Sequence, residues 1–124
     1  MSTGVVIFAH GSSIESANDA VRAVTARVAS LGKFARIETA FLESGRPSLS
    51  EAVDRLINSG ASRIVIAPYF LTLGLHLQRD LPRMVEGIRI QHPGVEVAVT
   101  PPLDGHEALH GVLVDRLREA LAQK

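Results

Sequence analysis

The sequence predicts an α/β domain: a four-stranded parallel sheet of order 2-1-3-4 inside a three-layer α/β/α sandwich. Three observations carry this. Short apolar runs rich in β-branched residues alternate with segments of helical period. Glycine or proline marks most of the junctions. The resulting order, β-α-β-α-β-α-β-α, calls for parallel strands joined by right-handed crossovers, with helices on both faces of the sheet.

Each element has its own warrant. Val5–Ala9 (VVIFA) is a continuous apolar run, as expected of a strand buried on both faces. Gly11-Ser12-Ser13 breaks it. From Glu15 to Leu31, Val21, Val24, Val28 and Leu31 recur at helical spacing, and Gly32 is a natural stop. Arg36–Leu42 (RIETAFL) reads as the second strand. Pro47 and Ser48 open a second helix whose inner face is Leu49, Val53, Leu56 and Ile57, with Gly60 at its end. Arg63–Pro68 (RIVIAP) is the third strand. Asp80 is placed as the cap of the next helix, with Pro82 in its first turn and Met84, Val85 and Ile88 on its inner stripe. Pro93-Gly94 forms a turn, Val95–Val99 the fourth strand, and Leu109, Leu113, Leu117 and Leu121 the last helix.

Composition narrows the function. The 124 residues, 46% apolar, suit a single domain spanning 1–124 with a hydrophobic core. Thirteen basic and 13 acidic side chains balance to zero, which offers no electrostatic footprint for nucleic acid or an anionic membrane. There is no cysteine, so disulfides, thiolate zinc sites and iron–sulfur ligation by this chain are excluded. Any metal must be held by histidine, carboxylate or backbone oxygen, which suits Co, Ni, Fe or Zn. The start, MSTGVVIFAHGSS, lacks a signal-peptide pattern, and no apolar stretch reaches membrane-spanning length. A cytoplasmic protein is expected.

In a parallel sheet, ligands bind at the carboxyl ends of the strands, where the strand order reverses. With order 2-1-3-4 that crevice lies between strands one and three. His10 follows strand one directly, and His76 lies in the stretch after strand three. Two histidines distant in sequence are thus expected to face one crevice. Gly11 allows close backbone approach, and Ser12-Ser13 stand where a helix N-terminus either receives an anion or is simply capped. Glu43 ends strand two on the same edge. Asp80, four residues beyond His76, shares its face if the segment is helical and is a candidate to orient the imidazole.

Other motifs fall away. No arginine precedes His10-Gly11, as a histidine phosphatase requires. There is no Gly-x-Ser-x-Gly elbow, no phosphate loop and no Gly-x-Gly-x-x-Gly fingerprint. His106-Glu107-Ala108-Leu109-His110 matches the His-Glu-x-x-His pattern of zinc peptidases, yet no histidine follows to supply a third ligand. His106 is expected instead at the rim of the carboxyl edge. His92, at a helix end, suits the dipole and needs no further role.

With these residues in view, the chain resembles the small, single-domain sirohydrochlorin chelatases, the cobaltochelatases and ferrochelatases of cobalamin and sirohaem biosynthesis. The likeness runs through VVIFAHGSS, AFLESGRPSLSEAV, IVIAPYFLTLGLHLQRDLP and HPGVEVAVTPPLDGHEAL. The third segment is the most specific. Two positions depart from the pattern: Ser13-Ile14 replaces a frequent Arg-Asp, and Leu103-Asp104 a frequent Leu-Gly. The resemblance implies insertion of a divalent metal (Co²⁺ or Fe²⁺, with Ni²⁺ as an option) into sirohydrochlorin or a related tetrapyrrole. It implies that His10 and His76 bind the incoming metal and assist deprotonation of the pyrrole nitrogens, with Glu43 as an auxiliary acid/base. The macrocycle would contact Gly11, Ser12, Ser13, Leu73, Gly74 and Leu75, with Phe70 on the same wall. Arg46 and Arg79 would meet its carboxylates, although surface charge alone accounts for both. No tightly bound cofactor is expected, because the metal is a substrate. The larger chelatases look like two such domains fused, so a homodimer is expected. The rival reading is a metal- or tetrapyrrole-binding carrier without catalysis.

Overall fold

The computed structural model describes residues 2–123. The elements are β1 (Thr3–Ala9), α1 (Glu15–Gly32), β2 (Ile37–Phe41), α2 (Leu49–Asn58), β3 (Arg63–Pro68), α3 (Leu75–Gln91), β4 (Glu96–Val99) and α4 (Ala108–Leu121). All strand pairs are parallel and the order is β2-β1-β3-β4, as the sequence predicts.

The alternation within each strand divides the sheet into two faces. Val6 and Phe8 of β1 and Ile64 and Ile66 of β3 are fully buried against Leu49, Ala52, Val53 and Leu56 of α2 and Leu77, Leu81, Val85 and Ile88 of α3. This is the core. On the opposite face Val5, Val65 and Ala67 are only half-buried. There α1 covers the β2 side, where the Thr39 hydroxyl donates to the Thr25 hydroxyl at 2.8 Å. Val21, Val24 and Val28 of the predicted α1 stripe are half-buried, and Leu31 is exposed. The last helix, α4, has the predicted extent but buries no residue. Within one chain the second helical layer is therefore α1 alone.

The local signals explain most boundaries. Ser48 and Glu51 form a reciprocal capping box at the start of α2: the Ser48 N–H donates to Glu51 Oε1 at 2.9 Å and the Glu51 N–H to Ser48 Oγ at 3.2 Å. Replacing Ser48 by alanine is expected to cost about 1 kcal/mol in a urea unfolding experiment. The Ser48 N–H, and after it the Arg46 guanidinium, hold the Glu51 carboxyl below the ordinary glutamate range. Arg22, then Asn18, do the same for Glu15. Because both folded-state values lie below the unfolded ones, their stabilisation is complete above the ordinary glutamate range. It is lost as pH falls through the folded-state values. Thermal unfolding across that acid window should show the loss, and Glu51→Gln should flatten it.

Two expectations need correction. Asp80 does not cap α3. The helix begins at Leu75 with Gly74 as N-cap, so Asp80 lies in its second turn and Pro82 inside it. Leu77 and Leu81, buried on the same stripe as Val85 and Ile88, draw the segment before Pro82 into the helix. His92 has a role beyond the helix dipole: its Nε2 lies 2.8 Å from Asp54 Oδ1, tying the end of α3 to α2.

Candidate active site at the carboxyl edge of the sheet

The site is built from loops that prolong the strand pairing. Beyond the ends of β1 and β2, the Leu42 N–H donates to the Ala9 carbonyl at 2.9 Å and the Glu43 N–H to the His10 carbonyl at 3.0 Å. These bonds set His10 and Glu43 side by side. Gly11 makes the approach feasible. Its φ is +90°, and a Cβ there would stand 1.7 Å from the Glu43 carbonyl oxygen. No other residue type fits.

Asn18 holds the two loops together. It is buried in the first turns of α1. Its Oδ1 accepts the Ser12 N–H at 2.9 Å, and its Nδ2 donates to the carbonyls of Ser12 at 2.9 Å and Ser44 at 3.0 Å. Sequence reasoning missed this residue. The signal was present: Asn18, Val21, Thr25 and Val28 fall at helical spacing, so a polar amide occupies the inward stripe. Asn18→Ala leaves three backbone groups without their partner. The expected loss is roughly 1–3 kcal/mol on urea unfolding.

His10 and His76 both line one cleft. A cavity of about 300 Å³ is lined by His10, Leu42, Phe70, Gly74, Leu75, His76, Leu77 and Asp80. Phe70 is anchored edge-on against Phe8 of the core, with ring centroids 6.2 Å apart. Neither histidine is buried: His76 stands on the exposed first turn of α3 between Leu75, 81% exposed, and the buried Leu77. The imidazole terminates the apolar run at the surface and is not a core residue.

The ring nitrogens are differentiated. His10 Nδ1–H donates to the Gly11 carbonyl at 3.0 Å, which leaves Nε2 as the basic nitrogen. That Nε2 lies 3.5 Å from Glu43 Oε1. Metal bonds of about 2.0–2.2 Å to nitrogen and oxygen allow donors at this separation to share one ion. His76 Nδ1 accepts from Arg79 at 3.4 Å, and Arg79 also pairs with Asp80 at 3.2 Å. Asp80 thus reaches His76 through Arg79. Among the described residues no three histidine, aspartate or glutamate side chains are grouped to hold a metal.

The remaining expected contacts divide. Gly74 and Leu75 line the cleft, but Leu73 lines a neighbouring one with Gln78, Pro82 and Val99. Gly11 and Ser12 shape the loop through their backbones. Ser12 Oγ accepts the Ile14 N–H at 3.0 Å, and Ser13 is exposed beside them. Neither serine side chain caps α1. Arg46 pairs with Glu51. His106 precedes α4 and its Nδ1 accepts the Ala108 N–H at 3.1 Å, so His106 and His110 do not share a helical face as a zinc peptidase requires.

A parallel four-stranded α/β sheet of order β2-β1-β3-β4, with two histidines and a carboxylate at its carboxyl edge, is a chelatase-type domain in fold. The CbiX family model matches residues 4–120, and the chain belongs to that family. Among curated relatives, the sirohydrochlorin cobaltochelatase of Saccharolobus solfataricus is 36% identical, covering 94% of each chain. That of Methanopyrus kandleri is 28% identical over 97% of this chain and 98% of the relative. The crystal structure of a CbiX protein from Marinobacter aquaeolei VT8 superposes with a TM-score of 0.86 at 25% identity, covering 98% of this chain and 99% of that one. SirB from Bacillus subtilis with Fe³⁺ shares the fold (TM-score 0.90, 19% identity), and this chain spans 49% of its length.

Proposed function

We propose that this chain is a sirohydrochlorin chelatase that inserts Co²⁺ or Fe²⁺, with Ni²⁺ as a further candidate, into the macrocycle. The observation that carries the reading is the pairing of His10 Nε2 with Glu43 Oε1 at 3.5 Å, in reach of a cleft shared with His76. The names of the full-length relatives support it.

The chemistry follows from the donors. Metallation removes two N–H protons from the tetrapyrrole as a divalent ion enters. The neutral imidazole of His10, its tautomer set by the Gly11 carbonyl, offers Nε2 first to the ion and then to a departing proton. Glu43 shares the ion and balances its charge. His76 serves on the facing wall once Arg79 releases its Nδ1, so that the proton can move there and Nε2 can act as donor. Leu42, Phe70 and Leu75 supply the apolar wall for the ring. A site with few protein donors suits a metal that must leave with the product. No tightly bound cofactor is required.

The cleft of about 300 Å³ is at the small end for a ligand site, and a tetrapyrrole needs more cover. The chain acts as one chelatase-like domain, 1–124, and two copies complete the enclosure. The half-length match to SirB supports a two-lobed arrangement. Among the described residues no helix is long and apolar enough to cross a membrane, and we place the protein in the cytoplasm.

Anaerobic metallation of sirohydrochlorin, followed by absorbance with Co²⁺, Fe²⁺ or Ni²⁺ in turn, tests the reading. Acceleration over the protein-free rate with at least one metal is expected. Tight tetrapyrrole binding with no acceleration by any of the three would make the protein a carrier.

A further inference from the structure

The two histidines of the cleft hold opposite tautomers. A carbonyl oxygen only accepts, so the bond from His10 to the Gly11 carbonyl puts the proton on Nδ1 and the lone pair on Nε2. A guanidinium only donates and keeps its charge. Arg79 Nη2 lies 3.4 Å from His76 Nδ1, which puts the lone pair of that ring on Nδ1 and its proton on Nε2. His76 therefore has one nitrogen engaged and the other protonated. It offers a metal ion no free lone pair, whereas His10 does.

Arg79 is held at both ends. Its Nε donates to Asp80 Oδ1 at 3.2 Å while its Nη2 reaches His76. The three residues stand at i, i+3 and i+4 in the first turns of α3, so they are neighbours on one side of the helix. His76 and Asp80 line the cleft, and Arg79 flanks them with 58% of its side chain exposed. The two bonds differ in strength. The bond to Asp80 joins two ions. The bond to His76 joins an ion to a neutral ring and is longer than an ordinary hydrogen bond. An incoming anion draws the Nη edge away from His76 before it draws Nε away from Asp80.

Resting on the chelatase reading above, we propose that Arg79 is a positioning residue that couples recognition of a tetrapyrrole carboxylate to the release of His76. The metal enters at the centre of the macrocycle, and the carboxylates lie on its rim. A ring seated against Leu75 and Phe70 thus brings a carboxylate to the flank where Arg79 stands. The carboxylate takes the Nη edge as a bidentate pair, and Asp80 keeps Nε. With Nδ1 free, the His76 proton crosses from Nε2 to Nδ1 through water, and Nε2 gains the lone pair. No net proton is gained or lost. The second histidine becomes a donor when the macrocycle is in place and is withheld from metal before that.

The test compares the parent, Arg79→Ala, His76→Ala and the double variant, each checked for folding by circular dichroism. Co²⁺ is titrated into the protein alone, and metal-free sirohydrochlorin is titrated separately by fluorescence. With His76 released, Arg79→Ala should bind Co²⁺ about 3–10-fold more tightly than the parent. That gain should vanish in the His76→Ala background. The Kd of Arg79→Ala for metal-free sirohydrochlorin should rise about tenfold. An equal gain in Co²⁺ affinity with and without His76 reflects only the removal of a positive charge and overturns the coupling. So does an unchanged affinity for either Co²⁺ or sirohydrochlorin. These results leave the chelatase reading intact if the parent accelerates metallation. A parent that shows the coupling but accelerates no metallation overturns that reading alone, and a parent that binds no sirohydrochlorin overturns both.

Discussion

His10→Ala and His76→Ala should each lower kcat/KM for metallation by about 10²–10⁴-fold, the range set by loss of a positioned proton acceptor. Both rings are exposed, so both variants should remain folded and retain the far-UV circular dichroism of the parent. His10→Ala should be the more damaging. It removes the partner of Glu43 and a ring whose tautomer is fixed by the Gly11 carbonyl. Glu43→Gln should fall between that and the parent, because the amide keeps an oxygen donor but loses the charge.

The second large effect is on stability. Gly11→Ala places a methyl group 1.7 Å from the Glu43 carbonyl and demands a left-handed φ of +90°. The chain must separate the His10 and Glu43 loops or unfold locally. The expected cost is about 3 kcal/mol or more, measured by urea unfolding. The protein that remains folded should lose metallation, because the strand-like bond between the Glu43 N–H and the His10 carbonyl cannot form. Stability within about 0.5 kcal/mol of the parent, a change typical of an exposed position, would contradict the role given to Gly11.

Much of this architecture was legible in the sequence because local and global signals agree. The β-branched run before His10, the Ser48 and Glu51 positions opening α2, and the alternation of strand and helix all point one way. The convergence of His10, Glu43 and His76 followed from strand order alone, since residues just beyond parallel strands share one edge. The start of α3 was obscured by Pro82, which reads as a first-turn residue. The Leu77, Leu81, Val85, Ile88 spacing outweighs it in the fold. Asn18 was missed because a polar residue on an inward stripe declares its partners only in three dimensions. Leu73 lines a neighbouring cleft for a related reason: adjacent residues in a loop face different ways. For α4, periodicity predicts the helix but not what covers it.

His10 and His76 are proposed to handle the same metal ion in one reaction. A double-mutant cycle on single-turnover metallation of sirohydrochlorin by Co²⁺ tests it most directly, using the parent, His10→Ala, His76→Ala and the double variant. If both histidines serve one ion, the double variant should be about as slow as the slower single variant, because residues that act as a unit are not additive. A folded His10→Ala protein that metallates at the parent rate, or losses that simply multiply in the double variant, would contradict it.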